Sequence, residues 1–468
     1  MTRLRPGRFF GASAEQARRP FGASPRHSET TRQVVHMAMG AFALLLRWIP
    51  WWQAVALAVA ALAFNLFLLP HLRLNLYRPG ESERGVHGII WYPLAVLLLL
   101  VTFPRRPDIA AAAWGILAIG DGIATLAGRA NGGPRWPWNR EKTLSGSTAF
   151  AIGGAAAGVF LAWWCRPAVA PAPALVFTLA APILAALAAA LVETLPVRLD
   201  DNLSVAATAG GVMWLASLAA LDRLPGAITL AEARLPAALA LNFLVAWAGH
   251  RARTVSAAGA VTGALIGLAI FVGLGWPGWV LLLVTFIAAS IASRLGIKRK
   301  VLLGIAEERG GRRGPGNAIA NTGVAAIAAV VALTGDSGDA ARLAFAAALA
   351  AGGSDTIASE IGKAWGRRTW SVTSLARVPP GTSGAMSLEG TAAGVAGALG
   401  LAAAAIALGL APLAWLWAIV IGATAGSLLE SWLGATLEAS GILNNDMLNF
   451  INTAAAALVA LAVASWVA

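Results

Sequence analysis

The chain has one cysteine, Cys165, in 468 residues. No intrachain disulfide can form, and a lone thiol reads as a small apolar residue. Charge is equally scarce. Asp, Glu, Lys and Arg make up 12% of the chain, against about 25% in soluble domains. The five histidines show no metal-ligand spacing, and neither H-E-x-x-H nor G-x-x-x-x-G-K-[ST] occurs. A zincin helix and a P-loop are therefore excluded. What remains is apolar, with 58% hydrophobic residues and a mean hydropathy of +0.70. The expected fold is all-α, a polytopic integral membrane protein.

The net charge of +13 invites a nucleic-acid reading, but in a membrane chain Lys and Arg mark cytoplasmic loops. No nucleic-acid partner is expected. About fifteen hydrophobic spans are expected, centred near 41, 61, 96, 117, 155, 183, 212, 242, 264, 285, 325, 351, 397, 422 and 457. With the N-terminus inside, segments 1–32, 72–87, 129–142, around 198, 250–254, 294–313 and 363–377 hold 28 of the 35 lysines and arginines. That bias points to a multi-pass protein of a bacterial inner membrane. Residues 1–31 read as a basic cytoplasmic arm rather than a signal peptide. The least apolar outer stretch, 221–234, divides the rest into membrane domains 32–224 and 225–468. No residue-level repeat is evident between them, so two domains rather than a duplication are expected. Nothing in the sequence specifies an oligomer.

Four polar clusters mark the first domain. Arg32 and His36 share a helix face at i and i+4. Asp121 opens DGIATLAGR, which ends at Arg129. Asn139, Lys142 and Ser145 lie in NREKTLSGS, and Glu193, Asp201 and Asn202 lie in VETLPVRLDDN. By the expected topology all four clusters reach one side of the membrane. Asp at a helix centre costs about 2.5–3.5 kcal/mol on insertion scales, so a compensating cation is expected. Acids, cations and a glycine-rich loop together suit a metal-bound polyphosphate.

The series R-x-x-x-H, D-G-x-A-x-x-x-G-R, K-T-x-x-G-S and E-x-x-x-x-x-x-D-D-N resembles the dolichol kinase and phytol kinase family of polyprenol kinases, over residues 29–220. That family is related to the CTP-dependent phosphatidate cytidylyltransferases. The resemblance implies CTP as phosphoryl donor and a lipid alcohol as acceptor. It implies that Asp121 and Asp201 hold Mg²⁺ and that Arg129 and Lys142 meet the phosphates. Asn202 would help position the nucleotide, with Arg32, Asn139 and Ser145 near it, and His36 or Glu193 would deprotonate the alcohol.

The second domain has its own polar set. Asp355, Ser359 and Glu360 lie in GGSDTIASEIGKAWGRR, and Thr382 and Ser383 in a Gly-Thr-Ser-Gly loop suited to phosphate contact. Glu430 lies in SLLESWLGA, and Asn445, Asn449 and Asn452 line one helix face. The motifs N-x-G at Asn321, D-T-x-A-S-E-I-G, G-T-S-G and G-S-L-L-E-S-x-x-G-A resemble the family that includes phytyl-phosphate kinase, over about 230–468. Glu430 departs from the aspartate expected there. The resemblance implies conversion of a prenyl monophosphate to the diphosphate. Asp355, Glu360 and Glu430 would be metal ligands, and Lys298, Arg312 and Arg313 phosphate partners.

The expected activity is a bifunctional CTP-dependent kinase that takes phytol, geranylgeraniol or farnesol to the mono- and then the diphosphate. A lipid cytidylyltransferase is the alternative within the same chemistry. A transporter is disfavoured, because the acids sit at helix ends and not as midplane pairs.

Overall fold

A computed structural model describes residues 25–71, 88–195, 199–305, 313–336 and 338–467. Most of the expected basic arm and the loop 72–87 lie outside them. The chain divides into two compact units, Met1–Trp214 and Leu215–Ala468. The all-helical expectation holds apart from two small antiparallel ribbons, one in each unit.

In unit 1, α1 (Pro25–Met39), α2 (Trp51–Ala63) and α3 (Gly88–Thr102) lead to a buried core helix, α4 (Pro107–Gly115). Pro107 occupies the first turn, where its missing N–H costs nothing. Arg106 clamps Asp108 through two N–H donations of 2.9 and 2.8 Å. A π-helical turn, Ile116–Asp121, joins α4 to α5 (Gly122–Asn131). Such turns are local distortions often found at functional sites, and this one ends on Asp121. The ribbon β1 (Arg135–Trp136) and β2 (Asn139–Thr143) follows. Thr143 caps α6 (Leu144–Cys165) by accepting from Gly146 N at 3.1 Å. Helices α7 (Leu175–Thr194) and α8 (Asp201–Ser217) complete the unit.

Unit 2 contains α9 (Leu224–Arg251), α10 (Ala257–Arg294), α11 (Ile297–Leu302), α12 (Pro315–Thr334), α13 (Gly338–Trp365), α14 (Leu388–Ala407), α15 (Leu416–Leu433) and α16 (Asn445–Val467). The stretch 343–351 of α13 is almost wholly alanine and buried except at Ala344, with Leu343, Phe345 and Leu349 as its large side chains. Helices α10, α12, α14, α15 and α16 pack around it. The ribbon β3 (Thr369–Ser371) and β4 (Ala385–Ser387) joins α13 to α14, and Ser387 caps α14 by accepting from Gly390 N at 3.1 Å.

The packing inverts the soluble pattern. The interior is alanine and glycine, while Phe243, Leu244 and Trp247 of α9 and Leu184, Leu187 and Leu191 of α7 face outward. Lipid tails are as apolar as leucine, so helices associate through close approach of small residues. Ten helices among the described residues are long and apolar enough to cross a membrane, and the shorter Ile89–Thr102 is apolar as well. The fifteen expected centres all fall in helical or 3₁₀ segments, but not as fifteen long spans. Those at 264 and 285 belong to one run, broken where Gly275 takes a φ of +65°.

Close approach makes a test. A Cβ built on Gly422 would stand 2.5 Å from the Ala456 carbonyl oxygen, at the α15–α16 crossing. Gly422→Val is expected to destabilise unit 2 by about 1–3 kcal/mol, read as a lower thermal midpoint of the detergent-solubilised protein. An unchanged midpoint would show that this crossing is loosely packed.

Candidate functional site

Unit 1 gathers acids around one lysine. Lys142, at the end of the ribbon, donates to Glu193 Oε1 at 2.7 Å and to Asp201 Oδ2 at 2.8 Å. Glu193 sits in the last turn of α7 with its side chain 5% exposed, and Asp201 opens α8. Burial pulls the Lys142 pKa down, but the two carboxylates outweigh it and hold it above the ordinary lysine value. Lys142 is therefore cationic at any physiological pH. Asp121 lies within electrostatic reach of Glu193 and Asp200. Its Oδ2 is 3.6 Å from His36 Nε2, which is also 3.5 Å from the Leu117 carbonyl oxygen. Tyr92 packs on the His36 ring at 4.4 Å between centroids and accepts from Trp114 Nε1 at 2.8 Å.

Asp200, beside Asp201 in the polar stretch VETLPVRLDDN, joins this cluster, although no ligand or catalytic role was expected of it. Its Oδ1 accepts from the Asn202 backbone N at 3.0 Å and from Nδ2 at 2.7 Å, and burial pushes its carboxyl pKa up. Asn202 is thus a satellite of Asp200, with its own Oδ1 buried and unpartnered. The doublet Asp200-Asp201 was the available signal, since adjacent acids at a helix start point in different directions. Arg32 lies one turn before His36, and Arg129 lies in the last turn of α5. Ser145 donates to the Gly132 carbonyl at 2.5 Å. Asn139 accepts from Glu141 N at 3.1 Å and so serves its own turn.

Unit 2 has a cavity of about 250 Å³ whose lining includes Asp355, Lys363, Thr382, Ser383, Glu430 and Glu438. Asp355 and Glu430 face this cavity together, close enough for each to act on the other's charge. Asn452 Nδ2 donates to Glu430 Oε2 at 2.7 Å. Two carboxyls so placed share a proton or a cation, because like charges so close cannot both stay bare. After Glu430 comes another π-helical turn (Gly434–Glu438), whose first and last residues line the cavity.

Several expected members of the second site lie elsewhere. Glu360 is 3% exposed and accepts from Lys300 Nζ and from Lys363 Nζ, the latter at 3.1 Å. Lys300, 1% exposed, also donates to the Ser293 carbonyl at 2.7 Å. This ion triad ties α11 to α13, so Glu360 faces lysines and not the cavity. Lys298 is exposed, and its neighbour Lys300 carries the buried charge. Arg312 lies outside the described residues. Arg313 and Asn321 line a separate, largely apolar cavity of about 140 Å³, with Asn242, Trp279 and Phe286. Asn321 Nδ2 donates to the Asn317 carbonyl at 3.0 Å, and its Oδ1 is buried without a partner. Helix α13 separates the two cavities, with Gly352 and Gly353 on one and Ser354 and Asp355 on the other. The 3.6-residue period explains why residues so near in sequence part company.

Among the described residues no three His, Cys, Asp or Glu side chains converge as a metal cage. Asp355 and Glu430 offer two carboxyls, which suits Mg²⁺, an ion usually held by one or two carboxylates plus substrate phosphates.

The integral membrane protein family DUF92 matches residues 240–457. An uncharacterised membrane protein of Synechocystis sp. is 38% identical over 202 residues, covering 42% of this chain and 78% of that protein. The chain belongs to the DUF92 family. The chloroplastic protein VTE6 of Arabidopsis thaliana is 34% identical over 214 residues, covering 44% of this chain and 64% of its own length. Chloroplastic phytol kinase 1 of the same plant is 32% identical over 130 residues, covering 27% of this chain and 43% of its own length. The chain thus spans under half the length of that phytol kinase. No solved structure matches. The family match includes Asp355 and Glu430.

The ion triad yields a prediction. Lys300→Met keeps the volume but leaves buried Glu360 with Lys363 alone. Removing one partner of a buried pair costs about 3–5 kcal/mol. The thermal midpoint is expected to fall, and Lys300→Met/Glu360→Gln is expected to recover part of the loss. A double variant no more stable than the single one contradicts the pairing.

Proposed function

We propose that the chain is a kinase of prenyl lipids with CTP as phosphoryl donor. Unit 1 phosphorylates a prenyl alcohol such as phytol, geranylgeraniol or farnesol, and unit 2 adds a phosphate to the monophosphate. The domains 32–224 and 225–468 carry the two steps, in a bacterial inner membrane with both sites toward the cytoplasm, where CTP is found. The single observation that carries this reading is that each unit gathers at least two carboxyls and a lysine at one place. The phytol kinases among the relatives support it.

Phosphoryl transfer needs positioning and charge neutralisation more than a covalent nucleophile. Mg²⁺, when bound, neutralises polyphosphate charge, and Asp121 with Asp201 in unit 1 and Asp355 with Glu430 in unit 2 would hold it. Lys142, kept cationic by Glu193 and Asp201, and Arg129 donate to phosphate oxygens. His36 takes the alcohol proton, and Asp121 beside it stabilises the imidazolium. The second acceptor is already an anion and needs no base. Thr382 and Ser383 bring hydroxyls and loop amides to that cavity. The apolar cavity on the other side of α13 takes part of the prenyl chain, with Asn321 at its polar end.

The purified chain with CTP, Mg²⁺ and a prenol is expected to yield monophosphate and then diphosphate by mass spectrometry. Asp121→Asn is expected to lower the first step at least 100-fold and to spare the second when monophosphate is supplied. Asp355→Asn is expected to do the reverse. A CMP-bearing lipid would establish cytidylyl transfer instead, and unaltered lipid with every donor would refute the kinase reading.

A further inference from the structure

The halves share a register that differing loop lengths conceal. DGIATLAGRA from Asp121 aligns with DTIASEIGKA from Asp355, and the register runs on without a gap to Gly132 and Trp136 against Gly366 and Trp370. Over 121–136 and 355–370, seven of sixteen positions are identical, with Thr125 against Ser359 and Arg129 against Lys363 as conservative exchanges. Both tryptophans then enter the first strand of a two-stranded ribbon. Both ribbons end in a capping hydroxyl, at T-L-S-G-S (143–147) and S-L-E-G-T (387–391). Further on, L-V-E-T (191–194) matches L-L-E-S (428–431).

The local packing follows the same register. A Cβ on Gly128 would stand 3.0 Å from Thr143 Oγ1, and one on Gly362 would stand 3.0 Å from Ser387 Oγ. A Cβ on Gly146 would meet the Ala124 carbonyl oxygen, and one on Gly390 the Ala358 carbonyl oxygen, at 3.1 and 2.7 Å. Ala124 and Ala358 are themselves aligned. The correspondence extends to the acids. In unit 1 the ribbon lysine Lys142 reaches Glu193 of L-V-E-T, and in unit 2 Glu430 of L-L-E-S lines the same cavity as Asp355. The expectation of two unrelated domains is therefore revised.

We infer that the two units are copies of one polyphosphate-binding module, and that Lys363 is the counterpart of Arg129, the cation that meets the phosphates in unit 2. Lys363 lines the cavity that holds Asp355 and Glu430, and it lies close enough to act on the Asp355 charge. Its side chain is 30% exposed and its ammonium is held by Glu360 at 3.1 Å. Glu360 is then a positioning residue for a ligand-contacting lysine, in place of the metal ligand expected of it. Position 126 of the first copy is a leucine, so this tether belongs to the second copy alone. The second copy also carries Met386 beside its cap where the first has Lys142. Unit 2 thus has no lysine at the position aligned with Lys142, which leaves Lys363 as the cation at the cavity for an incoming phosphate among the described lining residues.

This assignment rests on the kinase reading for its ligand, and the test separates the two. Magnesium pyrophosphate is titrated calorimetrically into the full-length protein in detergent. Two equivalents are expected to bind per chain. Lys363→Met is expected to weaken one equivalent at least tenfold while the other binds as in the wild type, which reports an intact fold, with Lys363→Arg returning the first to within threefold. Arg129→Met is expected to weaken the other equivalent, with rescue by Arg129→Lys. Glu360→Gln is expected to raise the donor KM of the second step more than it lowers kcat. Two equivalents in the wild type with both undiminished in Lys363→Met would overturn the assignment and leave the kinase reading standing. A wild type that binds no pyrophosphate would overturn both.

Discussion

A carboxyl group inside a helical bundle in lipid must be offset by a proton, a cation or a hydrogen-bond donor, because neither water nor a high dielectric is there to stabilise it. Each site in this protein is a different answer to that constraint. Lys142 sits between Glu193 and Asp201. Lys300 and Lys363 share Glu360. Asp355 and Glu430 share one cavity, with Asn452 as a donor to Glu430. Two of these arrangements are closed by lysines of the chain itself. Among the described residues the third has no lysine in contact with its carboxyls in the same way, and Asn452 donates to Glu430 instead.

The scaffold that brings these groups together is built from small residues. Alanine along α13 and glycine at the α15–α16 crossing let backbones approach closely, since leucine would gain nothing by leaving lipid. Close packing leaves little room for side-chain adjustment, so polar positions are set by helix register. Distortions then become useful. The π-helical turns at Ile116–Asp121 and Gly434–Glu438 each shift the register beside an acidic cluster.

Much of the first cluster was legible in the sequence. Asp121, Lys142, Glu193 and Asp201 were chosen as ionisable groups at the ends of apolar runs, and such groups are too costly there to be incidental. The second cluster was harder to read. Asp355, Glu430 and the Thr382-Ser383 loop meet at one cavity, but Glu360, five residues from Asp355 and one turn further along, faces lysines. Adjacency in sequence does not say which side of a helix a group takes when every side is packed. The repeat is hard to read in the sequence for a related reason. Its signature is short and is split by ribbons of unequal length, and only the matching cap contacts at Gly128 and Gly362 show the two segments doing one job.

Composition alone determined that the chain lives in a bilayer, that its helices pack through small residues and that its few acids need partners. Those are consequences of solvent, and solvent acts on every residue alike. Only the tertiary structure decided which acid meets which lysine. A helix offers a new direction every 100°, and the neighbour standing in that direction comes from a distant part of the chain. Lys300 and Glu360, sixty residues apart in sequence and in contact in space, are the plainest instance.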